Sequence, residues 1–176
     1  MDADRSRFEA VLAEFGSQID RMLVAYERRD DLRDELRQEV ALAIWRALPS
    51  FRGDSSLRNL IARVTHNVGV SHVRKAVRGT PTELLDPELP IAAPDPQPED
   101  LLLEADRIRR LGAAIRCLSL GQRQVVVLFL EDFNHAEIAS TLGITESAVA
   151  VRLNRAVNGG LKARHIGEEN ADLRDG

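Results

Sequence analysis

Apolar residues recur every three to four positions along most of this chain, and no stretch alternates with the period of two that a half-buried strand needs. The clearest stripe is Leu32, Leu36, Val40, Ala43, Ile44, Ala47 and Leu48. It predicts an amphipathic helix from about Asp31 that Pro49 ends. Before it, a first helical region runs from about Asp4 to Arg29, with Gly16 a candidate break. After it, the PSFRGD stretch reads as a loop in which Gly53 gives backbone freedom. Asp54 or Ser55 is placed to cap the next helix, about Ser56 to Val77, whose stripe is Leu57, Leu60, Ile61, Val64, Val68 and then Val73 or Val77. Two more helices are expected over about Glu99–Cys117 and Gly121–Leu130, followed by two short ones. The predicted fold class is all-α: two small helical domains joined by a flexible linker, the second containing a helix-turn-helix.

The linker is marked by its composition. TPTELLDPELPIAAPDPQPED holds six prolines and no basic residue, and proline both lacks an amide hydrogen and disfavours helix in the residue before it. An extended tether is expected there. It sets the domain reading: 1–78, a linker at 79–106, a helix-turn-helix domain at 107–166 and an acidic tail at 167–176. The overall net charge of −4 argues at first against a nucleic-acid partner, yet it is unevenly distributed. Residues 1–78 carry +2, residues 79–106 carry −8, residues 107–164 carry +5 and residues 165–176 carry −3. Two basic bodies are masked by an acidic connector and an acidic end.

The second body contains NHAEIASTLGITESAVAVRLNRAVN. Asn134 is positioned to cap a helix starting near His135, with Glu137 three residues on to complete a capping box. Ile138 and Leu142 face the core, small Ala139 lets a second helix cross close by, and Gly143 suits a left-handed helix end. Thr145 then caps the second helix, whose inner positions are Ile144, Val149, Leu153 and Ala156. Glu146, Ser147, Ala150, Arg152, Asn154 and Arg155 are left on the outside. A recognition helix presents such positions to the major groove, where Arg and Asn read base edges or clamp phosphates. An ordinary helical hairpin is the plainer alternative.

Other chemistry is sparse. The single cysteine, Cys117, makes neither an internal disulfide nor a zinc cluster, and its apolar neighbours point to a small buried hydrophobe. His66 and His72 have no acidic or cysteine partner at ligand spacing and are expected at the surface or facing DNA. No metal, cofactor or catalytic activity is expected: the chain has no glycine-rich phosphate loop, no HExxH pair and no paired-carboxylate site. No apolar run approaches the ~18 residues of a membrane span. The start, MDADRSRFEAVLAEF, is unlike a signal peptide, so a cytoplasmic location is expected.

DELRQEVALAIWRALPSFRGDSSLRNLIARVTHNVGVSHVRKA resembles the promoter-melting domain of bacterial RNA polymerase sigma factors, most nearly the small extracytoplasmic-function (ECF) group. LSLGQRQVVVLFLEDFNHAEIASTLGITESAVAVRLNRA resembles their minus-thirty-five domain. The resemblance implies that Glu35, Leu36, Gln38 and Glu39 grip the clamp helices of the polymerase beta-prime subunit. It implies that the loop of Phe51, Arg52, Gly53, Asp54, Ser55 and Ser56 captures a flipped minus-ten base, with Arg63 and Asn67 lining the pocket. Such chemistry suits an aromatic that stacks and polar groups that bond a base edge. Arg74, Lys75 and Arg78 would hold phosphates. Arg123, Glu146, Ser147, Arg152, Asn154 and Arg155 would meet minus-thirty-five DNA. Core polymerase, promoter DNA and an anti-sigma factor or other regulator are the implied partners.

The chain departs from the family pattern in places. Leu57, Leu60 and Ala62 stand where aromatics are common, Ser71 where Asp is common, and Ala41 where Phe is usual. On the recognition helix Ala150 and Val151 replace a common Lys and Ser. The expected function is promoter selection for core polymerase. The residues alone leave open a stand-alone helix-turn-helix regulator with an N-terminal dimerisation or sensing domain. They also leave open an interaction module whose DNA reading has decayed.

Overall fold

The computed structural model describes the backbone of residues 2–53, 55–78 and 103–172, and side chains within those spans from 4 to 53, 55 to 78 and 106 to 159. All regular structure among the described residues is helical: α1 (Asp2–Val24), α2 (Asp30–Ala47), a 3-10 turn (Leu48–Ser50), α3 (Leu57–Arg78), α4 (Leu103–Arg116), α5 (Leu120–Leu130), α6 (His135–Leu142) and α7 (Glu146–Asp172). The chain divides into two compact units, one built on α1–α3 and the other on α5–α7, and the division passes through α4 after Ala113. Of the connector expected at 79–106, residues 79–102 lie outside the described residues. Helix α4 begins within its last residues, and α7 continues as helix into the stretch read as a tail.

The first unit is a three-helix body. Val11, Ile19 and Leu23 of α1 meet Leu36, Val40 and Ile44 of α2, with Leu48 and Ile61 closing the cluster. Helix α1 runs unbroken through Gly16. An interior glycine costs only about 1 kcal/mol relative to alanine, too little to break a helix held by Phe15 and Ile19 on either side. Helix α1 stops at Val24, short of Arg29, and the link to α2 is fastened by Arg33. Its guanidinium donates to the Arg28 carbonyl at 2.7 Å and pairs with Asp30.

Helix α3 packs on both α1 and α2, so its buried arc is wider than one stripe. Leu60, Ile61, Ala62, Thr65, His66, Gly69, Val70 and Val73 are all buried, whereas Leu57, Val64, Val68 and Val77 are only half-buried. Thr65 satisfies its hydroxyl by donating to the Ile61 carbonyl at 2.9 Å. The cap of α3 is Ser56, whose Oγ accepts from the Asn59 amide at 3.1 Å, in place of the expected Asp54 or Ser55; Asp54 itself lies outside the described residues.

The second unit centres on Val125, Leu128, Phe133, Ile138 and Val149, each at most 2% exposed. Asp132 adopts a left-handed φ of 60°. The Phe133 amide reaches back to the Leu128 carbonyl at 3.2 Å, and the Asp132 amide to Phe129 at 3.1 Å. These are the two bonds of a Schellman helix end, and they drop Phe133 into the core. The next helix opens with the expected capping box: Glu137 N–H donates to Asn134 Oδ1 and Asn134 N–H to Glu137 Oε2, both at 2.9 Å. Gly143 ends α6 at φ 66°, and Thr145 Oγ1 accepts from the Ala148 amide at 3.1 Å. These local bonds fix the turn between α6 and α7.

Candidate nucleic-acid interface

On α3, Arg63, Asn67, Ser71, Arg74, Lys75 and Arg78 are exposed. Their spacing puts them on one helix face, opposite the apolar contacts with α1 and α2. The result is a polar stripe with four positive charges, preceded by the loop that carries Phe51. That ring is half-buried, while Arg52, Ser55 and Ser56 are exposed and Gly53 takes a left-handed φ of 85°. The Ser56 hydroxyl is already engaged as the helix cap. His72 lies near the stripe, and its Nε2 is 2.7 Å from Glu27 Oε2. Partial burial opposes the charge on Glu27, but the Arg29 amide and the His72 ring outweigh it and hold the carboxyl below its usual value.

The expectation for His66 is overturned. It is 4% exposed, and its Nδ1 lies 2.9 Å from the Tyr26 hydroxyl. Burial, with a smaller push from the Arg74 charge, lowers its pKa to about 4. It is a neutral core residue.

On α2, Glu35, Gln38 and Glu39 are exposed. Leu36 is not: at 2% exposure it lies in the core with Val40 and Ile44 and offers a partner no direct contact. The outer face continues through Leu42 (50% exposed) and Trp45 (41%), the latter edge-on to Phe8 at 5.2 Å. The phase of Leu36, Val40 and Ile44 turns both of them outward.

In the second unit, Glu146, Ser147, Ala150, Val151, Asn154, Arg155 and Asn158 are exposed along α7. Asn158 Nδ2 donates to Asn154 Oδ1 at 2.8 Å, which engages the Asn154 oxygen within the exposed face. Arg152 is half-buried and turns toward α5, where a β-carbon on Gly121 would sit 3.5 Å from its Cζ. Arg123 is a further correction: it is 2% exposed, and its Nη2 donates to the carbonyls of Arg116 at 2.5 Å and Leu118 at 3.4 Å. It holds the turn before α5. Cys117, expected inside, is exposed at the end of α4. Among the described residues no three His, Cys, Asp or Glu side chains gather as metal ligands, and no helix is long and apolar enough to cross a membrane.

An all-helical chain with a basic helix face in one unit and a helix-turn-helix with a polar outer face in the other belongs to a class built to meet nucleic acid. Comparison with known proteins narrows the class. The family model for sigma-70 region 2 matches residues 12–79, and that for sigma-70 region 4 matches residues 108–158. The chain is 30% identical over 125 residues to the RNA polymerase sigma factor YlaC of Bacillus subtilis, covering 69% of this chain and 71% of that one. It is 33% identical over 135 residues to the ECF RNA polymerase sigma factor SigD of Mycobacterium tuberculosis; the match takes in 74% of this chain and spans only 62% of SigD. The fold is shared with the sigma factor RpoE of Bartonella quintana, solved in complex with the anti-sigma factor NepR. There the TM-score is 0.63 at 20% identity, over 92% of this chain and 96% of that one. The chain belongs to the sigma-70 family of RNA polymerase sigma factors, in its ECF group.

Proposed function

We propose that this chain is a non-catalytic transcription initiation factor of the cytoplasm that binds core RNA polymerase and directs it to promoters. In this reading Glu35, Gln38 and Glu39, extended by Leu42 and Trp45, form the face of α2 that meets the beta-prime clamp. The acidic and amide groups set orientation and the apolar pair adds buried area. The Phe51 loop receives a base from melted minus-ten DNA, and the stripe from Arg63 to Arg78 follows the strand, with Arg74, Lys75 and Arg78 on phosphates. Helix α7 enters the major groove of the minus-thirty-five duplex, reading it with Ser147, Asn154 and Arg155. The two family segments coincide with two units that each turn a polar helix face outward, and that coincidence carries the proposal. RpoE was solved in complex with the anti-sigma factor NepR, and by that likeness an anti-sigma factor is the regulator proposed for this chain.

The test is to mix the purified chain with core polymerase, then measure binding and start-site-specific transcription. Binding with directed initiation is expected. Failure to bind core, together with tight dimeric binding to a palindrome, overturns the reading in favour of a stand-alone regulator. Phe51→Ala is expected to impair open-complex formation while sparing polymerase binding; equal loss of both would make Phe51 a packing residue only.

A further inference from the structure

Helix α7 presents an apolar residue in the middle of its outer face. Val151 is 49% exposed although it stands inside the helix-turn-helix. At 3.6 residues per turn, Ser147, Val151, Asn154 and Asn158 fall along one line of the helix, and all four are exposed. The line is opposite Val149 and Ala156, which are buried in the second unit. It reads hydroxyl, valine, amide, amide, with Arg155 one turn beyond the valine and exposed Ala150 beside it.

Helix stability does not ask for valine there. Its branched side chain loses rotamer freedom against the preceding turn, and an exposed position returns little packing. The Lys and Ser common at these two positions in the family would offer a cation and a hydroxyl to a phosphate. Ala150 and Val151 offer neither.

The surroundings decide what the valine can meet. On the major-groove edges of duplex DNA the bases display hydrogen-bond donors and acceptors, and the apolar group among them is the thymine C5 methyl. A protein interface takes its energy from large anchors, aromatic or arginine, packed in pockets. Here the centre is one small side chain with polar groups a turn away on either side. The other exposed valine of the helix, Val157, lies about 120° around the axis from Val151, so the two form no joint apolar patch.

We infer that Val151 is a specificity-determining residue that contacts the C5 methyl of a thymine in the major groove of duplex DNA, with the small Ala150 side chain letting the helix come close enough. This rests on the proposed minus-thirty-five role of α7. It adds a base preference that the residues common at these positions in the family would not give.

The test assembles the full chain with core polymerase and enriches a fluorescent duplex from a random duplex pool. Each thymine of that duplex is then replaced by uracil, which removes the methyl and keeps the base pair. Replacement at one position is expected to weaken binding about fourfold, the worth of one buried methyl group. Val151→Ser is expected to lose about as much on the thymine duplex and to bind the thymine and uracil duplexes equally. Val151→Ile keeps an apolar tip and is expected to keep the preference. Val151 is exposed, so both variants are expected to fold as the wild type does. The inference is overturned if no uracil replacement weakens binding by the wild-type chain, or if Val151→Ser keeps the penalty. Loss of core-polymerase binding by Val151→Ser without DNA overturns it too, since the face would then meet protein. If Arg155→Ala lowers duplex affinity while no uracil replacement matters, only the thymine contact falls. If neither Val151→Ser nor Arg155→Ala changes duplex affinity, the minus-thirty-five reading of α7 falls as well.

Discussion

The Tyr26 hydroxyl and His66 Nδ1 meet at 2.9 Å inside the first unit, forty residues apart in sequence and both buried. Their rings stand edge-to-face with centroids 6.1 Å apart. The contact ties the turn after α1 to the middle of α3, the helix whose outer face carries the basic stripe. It therefore sets the position of that stripe.

Gly69 is the close neighbour that this contact requires. A β-carbon there would lie 2.5 Å from Tyr26 Cδ2 and 2.6 Å from Cγ. The ring is pinned by His66 and has no room to retreat. Alanine in a helix ordinarily gains about 1 kcal/mol over glycine. Here overpacking of about 1–3 kcal/mol outweighs that gain. Gly69→Ala is thus expected to lower the thermal midpoint, and a rise measured by circular dichroism would refute the packing argument.

The same pair predicts acid sensitivity. His66 titrates near 4 in the folded chain, against 6.5 for an ordinary histidine, because burial penalises its charged form. Between those values the unfolded chain binds a proton that the folded chain refuses. Stability is then complete above about pH 6.5, falls as pH drops toward 4 and levels off for this group below that. The loss is of order 3 kcal/mol. Urea unfolding at pH 7 and pH 4.5 reads it directly. His66→Gln is expected to be less stable at pH 7 but to flatten the slope between the two; an unchanged slope would assign the acid sensitivity elsewhere.

These two residues also show what the sequence hides. The capping box at Asn134 was legible because all its partners lie within four residues. The core phase of α2 was legible because one neighbour face selects one stripe. Helix α3 is gripped from two sides, and part of its second contact surface is made of Thr65, His66 and Gly69, which carry no apolar signal. His66 is buried against Tyr26, which arrives from the turn after α1, forty residues away in sequence. Phe133 reaches the core through a left-handed Asp132, where glycine would have announced the turn. Within the candidate site, Arg63, Asn67, Arg74, Lys75 and Arg78 lie exposed on α3 and Glu146, Ser147, Asn154 and Arg155 on α7, whereas Phe51 and Arg152 are half-buried. Leu36 and Arg123 were assigned by family position, although Leu36 already belonged to the buried stripe. For Arg123 no local pattern reveals a guanidinium folded onto the carbonyls of Arg116 and Leu118.

Leu36 and Glu39 offer a clean separation of packing from partner contact. Leu36 is fully packed, so Leu36→Ala is expected to cost about 2–5 kcal/mol of stability through lost burial and a residual cavity. Glu39 is exposed, and Glu39→Ala is expected to leave unfolding within about 0.5 kcal/mol of wild type. In the proposed function it nonetheless weakens association with core polymerase several-fold. Paired denaturation and polymerase-binding curves check both. A Glu39 variant with unchanged polymerase affinity would remove that residue from the interface.

Two arginines of the second unit should part in the same way. Arg123 is enclosed and bonds two part-buried carbonyls, so Arg123→Ala removes both bonds and is expected to cost about 1–3 kcal/mol. Its effect on duplex binding should follow the folded fraction and vanish where both proteins are fully folded. Arg155 is exposed on the outer face of α7, so Arg155→Ala should leave the thermal midpoint almost unchanged. If Arg155 meets a phosphate, removing it lowers affinity for every duplex and reduces the slope of log affinity against log salt by about 0.9. If it reads a base edge, affinity falls for the preferred sequence and the loss against other sequences is smaller. Fluorescence anisotropy of the assembled polymerase on duplexes at several salt concentrations distinguishes the two roles. Wild-type affinity and slope in the Arg155 variant would show that α7 meets DNA through other residues.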